Sequence, residues 1–122
     1  MAISDLFKNS FETNDTPSDQ RLKCHYYGND YLVCQNAVSS VMSGLGYKVM
    51  NVNEQYLEML FESKFAQAII TFSKISLYET CIDIKMNTHY FLPLKKGINH
   101  IDEIYSLLDR RLTLKYKGGR SA

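Results

Sequence analysis

The chain has 122 residues, 45% of them hydrophobic and 22% charged, and its 14 Lys and Arg against 13 Asp and Glu leave a formal charge of +1. One domain of this length buries roughly two-thirds of the surface its unfolded chain exposes, so a core can form without covalent staples, and the composition excludes a disordered chain. Near-neutrality excludes a global field that draws in nucleic acid or acidic lipid, so any such affinity has to come from a local patch.

In chain order, Ile3, Leu6, Phe7 and Phe11 fall close to one face of a short helix, which is marginal alone and has to dock on something. Residues 1–20 are therefore expected to form an arm, with Thr13 to Gln20, around Pro17, as its linker. Leu22 to Tyr27 predicts a short strand stopped by Gly28, after which Asn29 or Asp30 supplies a helix N-cap. Tyr31, Cys34, Ala37, Val38, Val41 and Leu45 then follow one helical stripe, which Gly46 closes. Tyr47 to Val52 predicts a strand and Asn53-Glu-Gln a turn. Tyr56 to Glu62 alternates clearly, with Leu57, Met59 and Phe61 pointing one way and Glu58 and Glu62 the other. After a turn around Ser63 to Phe65, Ala68, Ile70 and Phe72 share a face. Ile75 and Leu77 have the opposite parity, and a bulge near Ser73-Lys74 would return them to it.

Ile82, Ile84 and Met86 form another inward set with Asp83 and Lys85 outside, and the same alternation assigns Cys81 to the solvent face. His89 to Gly97 breaks the pattern. Asn99 is expected to cap a last helix with the stripe Ile101, Ile104, Tyr105, Leu108 and Leu112, with Ile98 as hydrophobic neighbour of the cap. Asp102 and Glu103 toward its start and Arg110 and Arg111 toward its end suit the helix dipole. Residues 115–122 read as a basic, frayed tail.

The expectation is an α+β fold of two layers: a curved antiparallel sheet of about five strands covered on one face by two helices, with residues 21–114 as its single domain. In its order of elements this resembles TATA-binding-protein-like and helix-grip domains, a likeness of topology that carries no function by itself.

Candidate chemistry is sparse. Structural zinc usually shows paired ligands at short spacing, which Cys24, Cys34, Cys81 and the three histidines lack, so no metal and no cofactor is expected. An odd cysteine count without such spacing suits reduced thiols in the cytoplasm. No run of about 18 apolar residues is present and the first twenty residues lack the pattern of an export signal, so no membrane association is expected. Cys34 reads as core filler, and Cys81 would need His89 or His100 beside it to become a nucleophile. No phosphate loop, nucleophile elbow or acid pair occurs, so no catalytic residues are assigned.

Arg110, Arg111, Lys115, Lys117 and Arg120 form a candidate basic patch, near Lys95 and Lys96, with Tyr116 available to stack on a base. Nine tyrosines and six phenylalanines exceed what a small core requires, and tyrosine is enriched at interfaces and ligand grooves. Tyr90, Phe91, Leu92, Pro93 and Leu94 make an apolar turn that is a candidate docking surface. The expected function is that of a small non-enzymatic cytoplasmic interaction protein that holds a protein partner, another copy of itself included, as a homodimer. The alternatives are a nucleic-acid-associated module using the basic carboxyl end, and a small-molecule carrier or enzyme whose site is assembled from residues distant in sequence.

Overall fold

The computed structural model describes residues 10–12, 23–64, 66–88 and 94–118. In chain order the elements are β1 (Ser10–Glu12), β2 (His25–Tyr27), α1 (Tyr31–Gly44), β3 (Lys48–Asn53), β4 (Glu58–Glu62), β5 (Ala66–Ser76), β6 (Glu79–Thr88), α2 (Leu94–Arg111) and β7 (Leu114–Lys117). Six strands run in the order β3-β4-β5-β6-β2-β7, and a seventh, β1, also pairs with β6. Every pairing is antiparallel. Because β5 occupies one edge of β6 along its whole length, β2 and β1 share the other, β2 beside Thr80 to Ile82 and β1 beside Lys85 to Asn87.

Both helices cover one face of this sheet, so the fold is α+β in two layers. Alternation delivers Met59 and Phe61 from β4, Ala68, Ile70 and Phe72 from β5, and Ile82, Ile84 and Met86 from β6 to that face. Register lines them up in cross-strand rows, Met59–Ile70–Ile84 and Phe61–Ala68–Met86, which close the layer between strands. The stripe of α1 (Tyr31, Cys34, Val38, Val41, with Met42) and that of α2 (Ile101, Ile104, Tyr105, Leu108) seal it from above.

Local chemistry sets the ends of α1. The Asp30 side chain accepts the Val33 N–H at 2.8 Å, as an N-cap should, and Gly46 turns the chain away at φ +89°, in the left-handed region that favours glycine. Leu57 also lies there, at φ 54°, in the turn between β3 and β4, where its carbonyl accepts the Phe72 N–H at 2.9 Å.

Several expectations are corrected. Ser10 and Phe11, expected within a terminal helix, belong to β1, and Ile3 to Asn9 lie outside the described residues. The basic stretch expected to fray contributes β7, which pairs with β2 and together with β1 raises the expected five strands to seven. The irregularity in β5 falls between Lys74 and Ser76 and does not bring Ile75 back to the helix side, where it was expected. Ile75 packs instead on the opposite face. Helix α2 starts at Leu94, immediately after Pro93, so Asn99 lies within it and Asp102 and Glu103 sit beyond its first turn. Gly97 is tolerated there because the first turn has few intrahelical hydrogen bonds to weaken.

Candidate functional site

Three constellations of side chains stand out, none of them local in sequence. The first lies on the helix-covered face. His25 on β2 donates through Nδ1 to Asp109 Oδ1 on α2 at 2.9 Å, and the Tyr27 hydroxyl donates to the same oxygen at 2.7 Å. The His25 ring stacks on Tyr105, 3.7 Å between centroids and 12° between planes, and the Tyr105 hydroxyl donates to the Ile82 carbonyl at 2.6 Å. Burial pushes the Asp109 carboxyl up, but hydrogen bonds from His25 and Tyr27 and the charges of His25 and Lys117 outweigh it and hold the group below its ordinary value. Burial, then the neighbouring Asp109, pushes the Tyr27 phenol well above its ordinary value. This is a tightly satisfied clamp between α2 and β2, and no cavity described below reaches it. Its chemistry is cohesion.

On the opposite face, Cys24, Tyr26 and Cys81 form a small buried cluster with Ile75 and Tyr116 packed against it. Cys81 thus lies on the face away from the helices, as alternation predicts, but it is buried there at 4% exposure instead of meeting solvent, because Tyr26 and its neighbours cover it. One ligand atom each from Cys24, Cys81 and Asp83 falls within 4.8 Å of the other two. Tyr26 stacks on Tyr116 at 4.7 Å, and the Tyr116 hydroxyl donates to Glu79 Oε2 at 2.5 Å.

The third is a surface groove of about 480 Å³ between the start of α1 and the β5–β6 turn, lined by Tyr31, Leu32, Leu77 and Tyr78 together with the polar Asp30, Lys74 and Ser76. Leu77 is 80% exposed, Tyr78 75% and Leu32 64%. Tyr31 is the fixed member. Its hydroxyl donates to Glu54 Oε2 at 3.0 Å, its ring meets Phe72 edge-on at 5.3 Å, and Lys74 Nζ lies 4.9 Å above its centroid. Desolvation, then Glu54, pushes its phenol up to about 12.

The expected sites fare unevenly. Tyr90, Phe91, Leu92 and Pro93 of the apolar turn lie outside the described residues, as do His89 and Arg120, while Leu94 opens α2. Arg110 and Arg111 form the exposed end of α2, and Lys115 and Lys117 lie on β7. Lys115 Nζ is 3.2 Å from Glu79 Oε1, Lys117 faces Asp109, and Tyr116 is already stacked on Tyr26, so much of this surface is answered from within. His100 on α2 lies across the sheet from Cys81, and Cys34 is fully buried, its thiol pushed up to about 11 mainly by desolvation. Of the tyrosines, Tyr26, Tyr27, Tyr31, Tyr47 and Tyr105 are core or near-core, and Tyr56 and Tyr78 are on the surface. Comparison of the chain with protein-family models and with curated proteins finds no match.

Proposed function

We propose that this protein is a small non-enzymatic interaction module of the cytoplasm that associates with a second copy of itself through the groove at the start of α1. The observation that carries the reading is the cluster of outward apolar side chains, Leu32, Leu77 and Tyr78, around an open cavity of about 480 Å³. Exposed apolar groups gathered in one place mark interaction sites far more often than singly scattered ones do. The turn itself supports it. The β5–β6 hairpin is closed by two residues, Leu77 and Tyr78, whose side chains are both largely exposed. Side chains so placed contribute little to their own core.

A second copy is the favoured occupant because the patch is self-complementary. Its lining combines the exposed Leu77 and Tyr78 with one acid and one base, Asp30 and Lys74. In a two-fold contact each copy would offer its Leu77-Tyr78 turn to the other's groove and its Asp30 to the other's Lys74, the reciprocal pairing that a closed, isologous contact requires. The opposite sheet edge serves less well. Although Val49, Met50 and Val52 of β3 are exposed, a register shift between Val49 and Asn51 and the charge of Lys48 are the devices that blunt an edge against pairing. Reduced thiols at all three cysteines accord with the cytoplasmic reading.

Sedimentation equilibrium across micromolar concentrations tests the proposal. Wild type is expected to form dimers, and Leu77→Asp to weaken them by more than about tenfold, the equivalent of roughly 1.4 kcal/mol. A wild type that stays monomeric at the highest concentrations overturns it. The groove's tyrosines and volume also suit a small ligand, the carrier reading. A small aromatic compound that raised the melting temperature of a purely monomeric protein, but not of a Leu32→Asp variant, would favour that second reading.

A further inference from the structure

Cys24, Cys81 and Asp83 lie on the sheet face turned away from both helices, yet the two thiols are only 2% and 4% exposed. Their convergence follows from register. β2 sets His25 against Ile82 and Tyr26 against Cys81. One step back along the same ladder brings Cys24 level with Asp83 and diagonal to Cys81. Cys81 and Asp83, two apart on β6, point to the same side, and their Sγ and Oδ2 are 3.8 Å apart. All three ligand atoms fall within 4.8 Å of one another.

Those spacings fit a particular ion. Bonds of about 2.3 Å to sulfur and about 2.0–2.2 Å to oxygen place neighbouring donors of a tetrahedral zinc centre roughly 3.5–3.8 Å apart. Side-chain rotations that shorten the longest spacing by about 1 Å or less would close the three donors on such an ion, with no movement of the paired strands. The donor set is selective as well: two sulfurs and one carboxylate suit a borderline-soft cation and not Mg²⁺ or Ca²⁺, which take oxygen. Ile75 and Tyr116 pack against the cluster and supply the apolar surround that strengthens metal–ligand bonds.

We propose that Cys24, Cys81 and Asp83 form a binding site for one zinc-class divalent cation, which ties β2 to β6. Binding converts two thiols to thiolates, so one Zn²⁺ with two neutral thiols and one carboxylate gives a tricoordinate centre of charge −1 and two released protons. The fourth position is taken by water or a further donor. Short ligand spacing, the usual sign of such a site in a sequence, is replaced here by a strand ladder that holds distant residues together.

The test is titration of the reduced, metal-free full chain with Zn²⁺ by calorimetry, and with Co²⁺ by absorbance. One equivalent is expected, with thiolate-to-cobalt charge-transfer bands and affinity that rises with pH as thiols deprotonate. Cys24→Ser and Cys81→Ser are each expected to lower affinity by more than the roughly 10–100-fold that loss of an outer-shell partner costs. Cys34→Ala, in the core beneath α1, should leave stoichiometry and bands unchanged. Asp83 is only half-buried, so Asp83→Asn keeps the test decisive if a serine variant fails to fold; it should weaken Zn²⁺ binding while leaving the protein folded. No binding by wild type, binding undiminished in Cys24→Ser, Cys81→Ser and Asp83→Asn, or equal competition by Mg²⁺ would each overturn the proposal.

Discussion

Asp109 shows how a single side chain can couple this fold to pH. Its folded pKa is depressed because His25 and Tyr27 hydrogen-bond the ionised carboxylate, so its contribution to stability is fully present above the unfolded value of about 3.9 and disappears as pH falls through the folded value. Urea titrations of wild type and Asp109→Asn are expected to converge as pH drops below about 4, with wild type the more stable at pH 7. Curves that stay parallel throughout would remove Asp109 from the acid response. Tyr27 shifts the other way. Its raised pKa keeps the phenol protonated, and the stability tied to it is complete below about 10 and declines only as pH rises further. Tyr105→Phe should cost about 0.5–1.5 kcal/mol in chemical denaturation, because it removes the buried hydrogen bond from the Tyr105 hydroxyl to the Ile82 carbonyl. Neither His25 nor Asp109 stood out in the sequence, since both owe their role to a partner more than eighty positions away.

At the scale of elements, what periodicity could reveal was revealed. The stripes of both helices are buried where expected, from Cys34 and Val38 to Ile104 and Leu108, because a helix face repeats often enough to register as a pattern. Strands β1 and β7 escaped notice for the opposite reason: with three and four residues they hold no more than two periods of alternation, and both exist because a neighbouring strand offers an open ladder. Ile75 was misplaced because a bulge position depends on cross-strand register, which one strand's sequence does not contain. Two substitutions test the elements that were legible. Asp30→Ala is expected to cost about 0.5–2 kcal/mol by exposing the first-turn amides of α1, measured as a shift in denaturation midpoint. Ile70→Ala, at the centre of the Met59–Ile70–Ile84 row, is expected to cost about 2–5 kcal/mol through a cavity in the sheet's buried face.

For the whole molecule, the two faces of the sheet carry separate buried clusters. The helix-covered face holds the main core, and the two proposals rest on the groove beside the start of α1 and on the cluster around Cys81 on the other face. Composition suggested an interaction protein, and the surplus of aromatics hinted at a surface, but which tyrosine lies outside could not be read without the turn that exposes Tyr78. Likewise Cys24 and Cys81 are unremarkable as a sequence pair and become neighbours only through the β2–β6 ladder.

Hydrogen–deuterium exchange followed as a function of protein concentration addresses the proposed association most directly. As concentration rises through the dimer transition, added protection should appear over residues 30–33 and 76–79 together, while the β3 edge at Lys48 to Asn53 exchanges unchanged. Protection that is independent of concentration, or confined to β3, would contradict the assignment of the working surface to the groove.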